Sequence, residues 1–231
     1  MKRIFVPTAG PVDWKPLLAQ PDRHWKAGYS AMSVARSWEA SAGNFPPELE
    51  SLLLSGPPEV FAGTRLLLAL PEFTVPLPGG ERATQTDVFA LARSTAGALA
   101  VAVEGKVDEP FGPTVAEKRL TGAEERLKYL HTLLELNPES SGALRYQLFH
   151  RTAAALILAR DFAAAAAVMV VHSFSPAHRW FDDFEQFCDA LGAKPTHGQL
   201  LGVGKRDGIP LFIGWATGDQ QFRADIANGG Q

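Results

Sequence analysis

The stretch from Asp87 to Val107 constrains the fold more than any other part of the chain. Two apolar runs, residues 87–92 and 99–107, are joined by Arg-Ser-Thr-Ala-Gly, a connection short enough for a β-hairpin. Successive residues of a strand point to opposite faces. Ala100, Ala102, Glu104 and Lys106 therefore share one face of the second strand, and Val101, Val103, Gly105 and Val107 share the other. The valines pack and the alanines leave room, while a carboxylate and an ammonium project together from the strand's end. In an antiparallel hairpin the start of one strand lies beside the end of the next, so Asp87 and Glu104 meet at one end of the sheet with Lys106 close by.

The surroundings of this hairpin define an α/β chain. Apolar spacing predicts a helix over 30–42 and a short one over 49–54. A strand follows over 65–70, with an irregular extension past Pro71 that ends at Gly79-Gly80. After the hairpin, Thr121 and Glu124 have the spacing of a capping box for a helix marked by Leu127, Leu130 and Leu134. Residues 144–160 form a helix that is apolar almost all round, and residues 168–174 a strand without alternation, as expected for a central strand covered on both faces. Phe181, Phe184, Cys188 and Leu191 mark a further helix closed by Gly192, and residues 200–203 and 211–216 a final hairpin around Lys-Arg-Asp-Gly. Helices on both sides of a mixed sheet make an α/β sandwich.

Composition narrows the function classes. The 231 residues suit a single domain over 1–231. Cys188 is the sole cysteine, which excludes an intrachain disulfide and a cysteine-rich zinc site. No apolar run approaches the ~20 residues that span a bilayer, and Pro7 and Pro11 interrupt the stretch where a signal peptide is continuous. The expectation is a cytoplasmic protein without a membrane partner. A net charge of −3 counts against a large non-specific nucleic-acid face, although an acidic metal site would supply part of that negative count. Phosphate-binding loops, nucleophile elbows and His-Glu-x-x-His motifs are absent from the sequence.

Two carboxylates at short range repel, so one must take a proton or the pair must take a cation. Oxygen donors without nearby His or Cys suit Mg²⁺ (or Mn²⁺). The pattern Asp-x16-Glu-x-Lys on a hairpin, set between a helix and strand on one side and a helix and strand on the other, resembles the PD-(D/E)XK nuclease superfamily. That resemblance implies a restriction-endonuclease-like three-layer fold with core order α-β-β-β-α-β over about 30–174. The helix and hairpin of 175–231 would form a C-terminal extension. It also implies a metal-dependent phosphodiester hydrolase acting on nucleic acid, most readily DNA. Asp87 and Glu104 would be the metal ligands and Lys106 the catalytic lysine. Glu39 on the first helix would be an accessory metal carboxylate, and Gln147 a polar site residue on the helix after the hairpin, with Arg151 one turn later. Thr86 stands where the name pattern has Pro. The same fold without activity, serving as a binding module for nucleic acid or protein, is the second reading. His172 reads first as a structural histidine at the end of its strand. Trp180, Phe181, Asp182 and Asp183 make an acidic-aromatic patch to which the sequence assigns no purpose.

Overall fold

The computed structural model describes residues 4–223 except 7, 42 and 122, so the expected helix end at Ala42, the signal-peptide argument at Pro7 and the tail beyond Arg223 lie outside the described residues. Short helices α1 (Pro21–His24), α2 (Ser30–Ala40), α3 (Pro47–Leu54) and α4 (Pro58–Phe61) lead into an antiparallel meander. Its strands are β1 (Arg65–Val75), β2 (Thr84–Ser94) and β3 (Gly97–Lys106). Helices α5 (Val115–Arg119), α6 (Glu124–Leu134) and α7 (Tyr146–Asp161) precede β4 (Ala166–Ser173). Helix α8 (Phe181–Ala190) and the hairpin β5 (Leu200–Arg206) and β6 (Ile209–Thr217) complete the chain.

The six strands form one mixed sheet in the order β1-β2-β3-β4-β6-β5. Strand β4 runs parallel to both β3 and β6, and the other pairs are antiparallel. Because β4 sits in the middle with helices on both faces, every one of its residues is buried, which explains its lack of alternation. The hairpin expected to be an appendage instead extends the core sheet, since β6 pairs directly with β4.

The sheet separates two apolar cores. One holds Ala100, Ala102, Met169 and Val171 of the sheet against α6, α7 and α8; the other holds Val101, Val103, Val168 and Val170 against α2 and α3. Helix α7 is wrapped by sheet and helices, and its segment Thr152–Ala159 is buried throughout. At roughly 1.5–3 kcal/mol for each large apolar side chain buried, this layer fixes α7, and with it the direction of Gln147 and Arg151.

One local expectation is corrected. Thr121 does not cap α6: its hydroxyl donates to Lys118 O at 2.7 Å, and α6 begins after Ala123 without a side-chain cap. The capping box belongs to Thr114 and Glu117 of α5. Thr121 lies at the close of that short helix, and its hydroxyl is spent on the preceding turn.

Candidate functional site

Strand alternation delivers Glu104 and Lys106 to the α7 face of the sheet, as expected. Both are buried, and Lys106 Nζ donates to Glu104 Oε1 at 2.5 Å. Gln147 Nε2 donates to the same oxygen at 2.7 Å. Arg151, one turn further along α7, pairs through Nε with Glu104 Oε2 and donates from Nη1 to Thr84 Oγ1 at 2.7 Å. Burial alone would raise the Glu104 pKa, but Arg151 and Lys106 outweigh it and hold the carboxyl below its ordinary value of 4.5. Lys106 Nζ also lies 5.0 Å from the centre of the Phe111 ring. His150 Nδ1 shares the Thr84 hydroxyl at 2.7 Å; burial and then the nearby Arg151 keep its imidazole neutral, with a pKa well below 6.5.

Asp87 reaches the site by a different route. The β2–β3 ladder ends at Val88 and Val103, which sets Asp87 level with Glu104. Beyond that last pair, Asp87 Oδ2 accepts the Gly105 N–H at 2.6 Å. Glycine at this position is a steric requirement: a Cβ there would collide with Val34 of α2 and come within 3.1 Å of Asp87 Oδ2. Burial first, and then the charge of Glu104, raise the Asp87 pKa from 3.8 to about 7.

A third carboxyl was not foreseen. Glu72 on β1 is level with Asp87, between the pairs Pro71–Val88 and Phe73–Thr86. Its φ is +50°, unusual for a residue other than glycine. Side-chain alternation switches at this point on both strands. Leu70 and Phe73 of β1 both pack in the α7-side core; on β2, Thr84 meets Arg151 there and Phe89 joins the same core. Burial, followed by Asp87, pushes the Glu72 pKa well above 4.5. The sequence signal for Glu72 is a charge inside an apolar run beside Pro71; the irregular extension expected beyond Pro71 gave it no face, whereas β1 runs on to Val75.

The described contacts of Glu39 give it another task. Its Oε1 accepts Thr8 Oγ1 at 2.7 Å and the Trp14 indole N–H at 2.9 Å, anchoring the N-terminal segment. Helix α2 brings its first turns to the hairpin, where Ser30 and Val34 pack on Gly105, whereas Glu39 lies in its last turn. These contacts tie Glu39 to the N-terminal segment and lend no support to the metal role expected for it. His172 faces away from the site: its Nε2 is 2.6 Å from Glu48 Oε1 of α3.

Hard oxygen donors suit Mg²⁺ or Mn²⁺ in kind. Their present geometry does not form a ligand shell. Among the described residues no three His, Cys, Asp or Glu side chains are grouped to hold a metal ion. Both Glu104 oxygens are engaged by Lys106, Gln147 and Arg151. Asp87 fits as a ligand as it stands, and Glu104 only by giving up one of its cations.

The chain belongs to a family described as a domain of unknown function, DUF6946, whose model matches residues 7–220. Neither the curated proteins nor the solved structures yield a match. Among the described residues no helix is long and apolar enough to cross a membrane.

Proposed function

We propose that this protein is a metal-dependent phosphodiester hydrolase of the restriction-endonuclease-like class, acting on nucleic acid, with DNA as the first substrate to test. The observation that carries the proposal is a charge deficit: three carboxyls, Glu72, Asp87 and Glu104, face two fixed cations, Lys106 and Arg151. With every group ionised the site carries one net negative charge, which favours a bound cation. Element order also supports the reading, since α2-β1-β2-β3-α7-β4 follows the order of that fold, with α3 and α4 inserted after α2 and α5 and α6 after β3.

When bound, Mg²⁺ or Mn²⁺ would polarise a phosphate and lower the pKa of a ligated water. Asp87 and Glu104 would hold the ion. Lys106, released from Glu104, would then direct its ammonium toward the charge that grows on the phosphate. Gln147 keeps Glu104 oriented through a neutral amide, so it stays in place when the cations rearrange. Arg151 holds Glu104 in register with Thr84 in the absence of metal.

The second reading, a non-catalytic module on the same fold, draws on one specific observation: the Glu104 carboxylate already has full partners within the chain. The two readings part in a cleavage assay. Purified protein should cut or nick DNA with Mg²⁺ or Mn²⁺ and stop in chelator, and Lys106→Ala should lower the rate at least ~100-fold. Equal degradation by wild type and Lys106→Ala would assign the activity to a contaminant and leave the non-catalytic reading.

A further inference from the structure

The acidic-aromatic patch acquires a structural role at the same end of the sheet. After β4 the chain turns through His178 and Trp180, both left-handed, with φ of +50° and +69°. The turn is pinned: Ser175 Oγ donates to Asp108 Oδ1 at 3.1 Å and accepts Arg179 N–H at 3.2 Å. The Trp180 indole N–H donates to Asp108 O at 2.9 Å. Asp108 is two residues beyond Lys106, about 7 Å of extended chain. The residue before α7 ties the same turn to that helix. Arg145 lies 5.9 Å from the centre of the Trp180 ring, and its Nε is 2.9 Å from Asp183 Oδ1. The pocket is thus tied to both elements that build the candidate site, the end of β3 and the start of α7.

Its lining is Arg179, Trp180, Asp182, Asp183 and Gln186, around a volume of about 510 Å³. Pockets of this size hold small organic ligands. Arg145 pairs with Asp183, and Arg179 lies 3.7 Å from Asp108, which leaves Asp182 as an exposed carboxylate in the lining. Asp183 Oδ2 is buried without a hydrogen-bond partner among the described residues, so the acceptor the lining presents to a ligand is the exposed Asp182 carboxylate. An indole ring, an amide and an exposed carboxylate acceptor match a flat ligand with an amino edge better than an anion.

We infer that this pocket receives one unpaired nucleobase of the strand to be cut, stacked on Trp180 with its amino edge toward Asp182 and Gln186. The inference rests on the phosphodiesterase reading and deepens it: the substrate is single-stranded there or gives up one base from its stack. Arg179, exposed at the mouth, contacts the backbone beside that base.

The test is equilibrium binding of a short fluorescent single-stranded DNA to the full chain in chelator, where no cutting occurs. One abasic residue is moved along the oligonucleotide position by position. Wild type should lose at least ~5-fold in affinity at one position. Trp180→Ala and Gln186→Ala should bind the intact strand as weakly as wild type binds that abasic strand. Gln186 is an exposed helix position, so its variant keeps the fold even if loss of the Trp180–Asp108 bond disturbs the turn. Equal affinity at every abasic position, with Gln186→Ala binding like wild type, overturns the base pocket. If metal-dependent cleavage persists in that case, the phosphodiesterase reading stands. Loss of both binding and cleavage ends both proposals. A lysine-rich peptide that binds wild type and not Asp182→Asn would make the pocket a cation site and likewise overturn the inference.

Discussion

Two buried ion-pair sites lie back to back across the sheet at the same end. On the α7 face Glu104 is held by Lys106, Arg151 and Gln147, with Asp87 and Glu72 beside it. On the α3 face His172 meets Glu48 alone, at 2.6 Å, with the Phe174 ring 4.4 Å from its own. In the second site burial pushes the Glu48 pKa up, but the hydrogen bond and charge of His172 win and the carboxyl stays below 4.5. There the acid has one ionic partner, and Asp219 acts on it only through its more distant charge. In the first site the acids outnumber the cations, and the excess is stored as raised pKa values on Asp87 and Glu72. Under the proposed metal reading, a further cation would take up that excess.

Removing a partner should separate the two sites most sharply. Arg151→Ala leaves Glu104 buried with Lys106 as its remaining cation and should cost about 3–5 kcal/mol without metal. The same change frees a Glu104 oxygen, so the gain in melting temperature from Mn²⁺ should exceed that of wild type. Denaturant unfolding with and without Mn²⁺ checks both halves; a destabilised variant with no larger response to Mn²⁺ would mean that Arg151 does not compete for a metal ligand.

The pH dependence comes next in size. A carboxyl whose pKa is raised on folding stabilises the protein below its ordinary pKa and loses that contribution as pH rises through the folded value. For Asp87 the window runs from 3.8 to about 7, and the loss across it is up to about 4 kcal/mol. Glu104 works in the opposite sense: its contribution is present above 4.5 and is lost as pH falls. Metal-free stability should therefore decline between about pH 5 and pH 7, and Asp87→Asn should flatten that decline and be the more stable protein at about pH 8. Parallel curves for wild type and Asp87→Asn would show that Asp87 carries no such strain.

Glu48→Gln should have the smallest effect, about 1 kcal/mol, because an amide still bonds His172. It should leave the Mn²⁺ response unchanged. A lost response would join the two sites that the structure separates.

The grouping of Asp87, Glu104 and Lys106 was legible because it depends on short-range rules: a two-residue period, a short turn and a glycine that lets Asp87 reach across. Gln147 was legible in place, as a polar residue on the helix after the hairpin, but not in partner, which is Glu104 and not the adjacent Lys106. That difference turns on which of two adjacent groups the helix face meets, and it is decided by the packing of α7 against the sheet. Glu72 was hidden because a positive φ switches the alternation, and nothing local announces such a switch. Glu39 misled because its position on α2 fits the expected pattern, while its contacts depend on where the N-terminal segment crosses the helix. The final hairpin read correctly as a hairpin, but its place beside β4 is a long-range pairing that no local pattern encodes.

The most direct measurement of the charge deficit is a calorimetric titration of Mn²⁺ into wild type, Asp87→Asn and Glu104→Gln. Wild type should bind one or two ions, and each variant should bind at least ~10-fold more weakly, a difference of about 1.4 kcal/mol. Mn²⁺ affinity that is absent in wild type, or unchanged in both variants, would contradict a metal site at Asp87 and Glu104.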